Sequence, residues 1–104
     1  MTSAGEFEII IQNKTGVEIK ATKFEYMDGS RSKNENIFFG GNDRIGNNEE
    51  RRYTRTLQGV GGEMTSFTVT YQHRVGNNWS GNHVAQTDRF ECNDREQKVV
   101  VLTD

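Results

Sequence analysis

Residues 7–16 read FEIIIQNKTG, and the reading of this stretch decides the fold. Phe7, Ile9 and Ile11 alternate with Glu6, Glu8, Ile10 and Gln12, the period-two pattern of a strand with one buried face. Asn13-Lys14-Thr15-Gly16 supplies the turn residues that end it.

The same period continues outward from this strand. Val17, Ile19 and Ala21 alternate with polar residues, but Phe24 and Tyr26 fall on even positions, so a bulge near Thr22 and Lys23 is needed to keep both halves facing inward. Asp28-Gly29 suits a tight turn, and residues 30–36 continue as a polar loop or edge. Ile37-Phe38-Phe39 reads as a short apolar strand before the loop GGNDRIGNN. ERRYTRTL, residues 50–57, places Tyr53 and Leu57 on one face. SFTVTYQ, residues 66–72, is the cleanest strand, with Phe67, Val69 and Tyr71 to one side. VGNNWSGN reads as a long Asn/Gly turn carrying the single tryptophan, Trp79. HVAQTDRFEC and REQKVVVLTD then read as two strands around a turn at residues 93–95. No stretch shows a helical apolar period over three turns. Roughly six to eight short strands predict an all-β fold, an antiparallel β-sandwich of short strands joined by Gly/Asn-rich turns, with an open barrel second. Residues 1–104 form one domain in this reading, ordered from about residue 6.

Composition agrees with a thin core: 32% of residues are hydrophobic, against 11 Gly, ten Asn and no Pro. A net charge of -2 argues against nucleic acid as the partner, because phosphate binding needs a surplus of Lys and Arg. Arg51 and Arg52 directly follow Glu49 and Glu50 and read as a solvated charge cluster. The lone Cys92 has no internal disulfide partner and reads as a small buried apolar residue. The start MTSAGEFEI lacks a basic segment followed by an apolar one, so cytoplasmic synthesis without a signal peptide is expected.

Catalytic motifs are not apparent. His73 and His83 lie outside any HExxH or GxSxG context, and Cys92 with a distant histidine lacks the third group that orients a base, so the chain is not expected to be an enzyme and no cofactor is implied. Asn42-Asp43, Asn93-Asp94, and Asp28 with Asn34 and Glu35 are oxygen-rich enough for calcium, but read as ordinary Asx-turns, and no metal site is assigned. Asn13-Lys14-Thr15 and Asn78-Trp79-Ser80 fit the glycosylation pattern and read as turns. The candidate binding segment is YQHRVGNNWSGNH, residues 71–83. There Trp79, Tyr71, His83, Asn78 and Asn82 would place an aromatic ring among amides, unless Trp79 folds back to cap one end of the sandwich. Phe38 and Phe39 face opposite sides if extended, and Phe39 joins the candidate set as the exposed one.

Taken in order, the strand closed by Asn13-Lys14-Thr15-Gly16, the turn Asp28-Gly29-Ser30-Arg31, and the Gly-rich residues 59–65 leading into residues 66–72 resemble the aegerolysins, in particular their small bacterial insecticidal members. The resemblance covers roughly residues 6–72. It implies membrane-lipid recognition, with a larger partner protein recruited for pore formation or insecticidal activity, and action outside the cell on target membranes after release. Fungal members carry several tryptophans where this chain has Trp79 alone. So little aromatic area implies modest affinity per copy, which a partner or self-association as a homo-oligomer would raise. Two other readings stand beside it: a lectin-like carbohydrate binder with Trp79 ringed by Asn77, Asn78, Asn82 and His83, and a protein-interaction module using a strand edge at residues 6–12 or 66–72.

Overall fold

The computed structural model describes residues 3–103, which fold as an all-β sandwich. Ten strands are present: β1 (Ser3–Asn13), β2 (Ile19–Asp28), β3 (Arg31–Asn34), β4 (Arg44–Ile45), β5 (Glu50–Gln58), β6 (Glu63–Thr65), β7 (Phe67–Val75), β8 (Asn78–Gln86), β9 (Phe90–Cys92) and β10 (Gln97–Leu102). One sheet runs β10-β1-β5, the other β3-β2-β7-β8 with β4 also on β2, and β6 pairs β9 as a small ribbon. The excess over the expected number comes from β3, β4, β6 and β9, each of two to four residues, too short to show a period.

The opening stretch behaves as its alternation predicts. Phe7, Ile9 and Ile11 are fully buried in the core between the sheets. Ile10 points the other way yet is also buried, flanked by Val99 and Arg52 in the register. Arg52 bridges to Glu8 and Glu50, each at 2.9 Å, which holds its aliphatic stem alongside Ile10. The strand starts at Ser3, earlier than expected, because a bulge between Ala4 and Phe7, with Glu6 at φ 51°, lets the chain continue. The Asp94 carboxylate accepts from the Gly5 amide at 2.7 Å and secures that bulge.

The bulge in β2 falls where the parity change requires it, between Ala21 and Lys23, and Ile19, Ala21, Phe24 and Tyr26 all face the core. Asp28 pairs Arg31 across a two-residue turn with Gly29 at φ 64°. Four rings meet at the centre. Phe67 lies 5.7 Å from Phe7, 5.0 Å from Phe24 and 4.8 Å from Phe90, all edge to face, so one side chain joins all three sheets.

Four expectations need correction. Ile37-Phe38-Phe39 is not a strand: Ile37 is inserted into the core, Phe38 packs edge-on against Tyr53 at 5.4 Å, and Asn42 side-chain bonds to Ile37 O and Phe39 N stand in for a ladder. HVAQTDRFEC is not one strand. It breaks at residues 87–89, where the Thr87 hydroxyl accepts from Phe67 N and donates to Asp88 O, so its halves belong to β8 and β9. The last strand, β10, is parallel to β1, because the turn at residues 93–95 reverses the chain at the end where β1 begins. Finally, residues 6–12 and 66–72 offer no sheet edge: β1 and β7 are both central, and the long edges are β5, β8 and β10.

Candidate functional site

The segment read as a long turn is a β-hairpin. β7 and β8 pair from Thr68↔Gln86 to Val75↔Asn78, and the turn is only Gly76-Asn77, with Gly76 at φ 62° as a two-residue hairpin starting with glycine requires. The extra Asn and the tryptophan after it disguised a short turn as a loop. Because strands alternate their faces, the candidate residues separate. Tyr71 is buried in the core and His83, its ladder partner, lies on the same inner face. Trp79 pairs Arg74 and lies on the outer face. Asn78 and Asn82 are exposed. Phe39 is 57% exposed in the segment after β3, with the Arg55 guanidinium 5.4 Å over its ring, and belongs to neither group.

His73 and His83 stack at 4.0 Å and 14°, with Tyr71 tilted against both rings. A β8 bulge at Gly81 makes the stack possible. Gly81 sits at φ +81°, and a Cβ there would come within 2.6 Å of His83 Nε2. His73 Nε2 is buried without a hydrogen-bond partner among the described residues, a cost that the ring's stacking has to offset. Cys92 is buried at the other end of the sandwich, beside the start of β1, and burial pushes its thiol up to about 12. At neutral pH this predicts alkylation about a thousandfold slower in the folded protein than in denaturant, since each unit of thiol pKa removes tenfold of thiolate. A folded-state rate within tenfold of the denatured one would show Cys92 to be accessible.

The structure does gather a surface group at the end where β1 finishes. There Asn13 is fully buried, and its amide donates to Val17 O at 2.7 Å and Ile45 O at 2.9 Å while accepting from Thr15 N and Thr15 Oγ1. Gly16 N donates to the Asn47 side chain at 2.9 Å, and Arg74 N donates to Glu18 O at 2.9 Å, so the β1–β2 loop, the β4–β5 loop and the hairpin are tied together. Continuing the β2–β7 register past Glu18 and Arg74 sets Val17 opposite Val75. These two valines are 38% and 59% exposed at the tip. On the outer face of the same end the Arg44 guanidinium lies 5.5 Å from the Trp79 ring, and Arg74 bridges to Glu18 at 2.7 Å. Arg44 makes no ion pair among the described residues. The alternation of Val17, Ile19 and Ala21 predicts Val17 inward, but β2 starts at Ile19 and Val17 lies in the preceding bend, 38% exposed. Val75 and Arg44 carried no signal in the sequence, although Val75 continues the inward parity of Tyr71 and His73.

The oxygen-rich loops are occupied by structure. Asn42 caps the residue 37–39 segment, Asp94 holds Gly5, and Asp28 bridges to Lys33 at 3.0 Å. Among the described residues no three His, Cys, Asp or Glu converge. The buried Tyr53 phenol donates to Asn42 O at 2.6 Å, and burial pushes it up to about 12. A shallow cleft of about 460 Å³ at the β2 bulge, lined by Thr22, Lys23, Asn34 and Phe38, shares no residue with the Trp79 end. Set against protein-family models, curated proteins and solved structures, the chain finds no match.

Proposed function

We propose that the protein is a non-enzymatic module that binds membrane lipid through the Asn13 end of the sandwich. The observation that carries this reading is the pair Val17 and Val75, exposed at the tip, with Trp79 and Arg44, which has no ion pair among the described residues, on the outer face of the same end. Aliphatic side chains enter the acyl boundary, an indole settles at the headgroup level, and a guanidinium on its stem reaches lipid phosphate. The order of aegerolysin-like motifs in residues 6–72 supports the same reading. Two valines and one indole give a single copy modest affinity, so the module acts with a larger pore-forming partner on target membranes after release. The non-enzymatic part rests on the burial of Cys92 and its separation from the stacked histidines. The lectin reading has less support, because the Arg44 cation already lies against the Trp79 ring that a sugar would stack on.

Flotation with liposomes of varied headgroup tests the proposal. Val75→Asp should weaken retention at least about tenfold, since burying a valine contributes about 1.5–3 kcal/mol that a carboxylate forfeits. Trp79→Ala should weaken it too, and Met64→Asp on β6, 47% exposed at the opposite, Cys92 end, should not. Failure of the wild type to float with any composition rejects membrane binding.

A further inference from the structure

The outer edge of β8 is unpaired among the described residues. Its hydrogen-bonding direction follows from one bond. Thr87 N donates to Phe67 O at 2.9 Å, so Phe67 and Thr87 form a hydrogen-bonded pair. Such pairs alternate along an antiparallel ladder, so Ala85 and His83 turn their backbone groups to β7, while Val84 and Gln86 turn theirs outward. The edge therefore presents free donors and acceptors centred on Val84, whose side chain is 62% exposed.

The other edges are guarded. β5 carries Glu50, Arg51, Arg52 and Arg55, β3 is four residues long with Arg31 and Lys33, and β10 begins Gln97-Lys98 with Lys98 bound to Asp88 at 2.9 Å. β8, NWSGNHVAQ, has neither a charge nor a proline over nine residues. That favours one partner in particular. Two-fold symmetry sets a strand against its own reversed copy, so any charge near the axis would meet a like charge, and β8 has none to oppose itself.

We infer that two copies of this chain associate edge to edge through β8, antiparallel about a two-fold axis at Val84. Val84 forms a reciprocal hydrogen-bonded pair with its symmetry mate, covering both exposed side chains. Asn82 lies opposite Gln86 of the other copy, amide facing amide. The two five-stranded sheets become one continuous sheet. Because the strands are antiparallel, the two Asn13 ends point in opposite directions, so this dimer does not place both tips on one flat membrane. The inference is independent of lipid binding.

Sedimentation equilibrium of the full chain tests it, with association expected in the micromolar-to-millimolar range typical of small interfaces. Val84→Lys, exposed in the monomer, should weaken association at least about tenfold by setting ammonium groups across the axis. Oxidised Val84→Cys should cross-link, since hydrogen-bonded antiparallel pairs hold Cα atoms about 5.5 Å apart, within disulfide reach. Val101→Cys on β10 should not cross-link under the same conditions. A wild type that stays monomeric at about 1 mM, an unchanged dimer in Val84→Lys, or equal cross-linking at Val101→Cys overturns the inference.

Discussion

Phe67→Ala lowers the stability of the folded chain by about 3–5 kcal/mol, read as a shift in the denaturant midpoint. Phe67 has no exposed surface, and its ring meets Phe7 of β1, Phe24 of β2 and Phe90 of β9. Truncation removes the transfer energy of a phenyl group, leaves a cavity the three sheets close only in part, and deletes three edge-to-face pairs. For a domain of this size, whose total stability is about 5–15 kcal/mol, that is a large share. Phe39→Ala is the matched control. Its ring is mostly exposed and meets one guanidinium, so its loss costs under about 1 kcal/mol. Equal effects from the two substitutions would show that the ring cluster is not the centre of the core.

That core was legible in the sequence because alternation reports the face a residue occupies. Phe7, Ile9, Ile11, Phe67, Val69 and Tyr71 are buried as their parity requires, and the parity change after Ala21 located a bulge. Cys92 is buried as its residue type suggested. Alternation does not report which strand lies alongside. Nothing in QKVVVL indicates that it runs parallel to β1 from Glu8↔Gln97, because that pairing is set by where a distant turn reverses the chain. The candidate site suffered from a smaller error with larger consequences. Reading residues 75–82 as a loop put Trp79, Tyr71 and His83 together. A two-residue turn at Gly76-Asn77 instead places Trp79 and His83 on opposite faces of β8 and buries Tyr71. The residues that do share the Asn13 end, Val17 and Val75 at its tip and Trp79 with Arg44 on its outer face, come from three segments, and only the fold brings them to one end.

Asn13 shows how much that assembly depends on one amide. Its side chain makes four hydrogen bonds at a site closed to water, two donated to carbonyls and two accepted from Thr15. Asn13→Ala removes a donor from the carbonyls of Val17 and Ile45, the first of which keeps the Thr15 hydroxyl at 3.0 Å, takes the acceptor from Thr15 N, and is expected to cost about 2–4 kcal/mol. Asn13→Asp is the more informative variant. It keeps the shape and the bonds from Thr15, but faces two carbonyl oxygens with a carboxylate that has no proton to give. Its folded-state pKa must therefore rise above the unfolded value near 3.9, by burial and by carbonyl repulsion. An acid whose pKa is raised by folding loses stability as pH rises past the unfolded value, and the loss is complete above the folded value. The deficit of Asn13→Asp relative to wild type should thus be about 3 kcal/mol or more at neutral pH and shrink as pH falls through the raised pKa, where the neutral acid donates to one carbonyl. Asn13→Ala should show no such recovery. Urea titrations of the three proteins between pH 4 and 8 measure this, and a deficit for Asn13→Asp that does not change with pH would show that water reaches residue 13 and that the tip is not held as described. The same loss releases the Val17 carbonyl from Asn13 at the tip, so lipid retention of either variant should fall even where the chain remains folded.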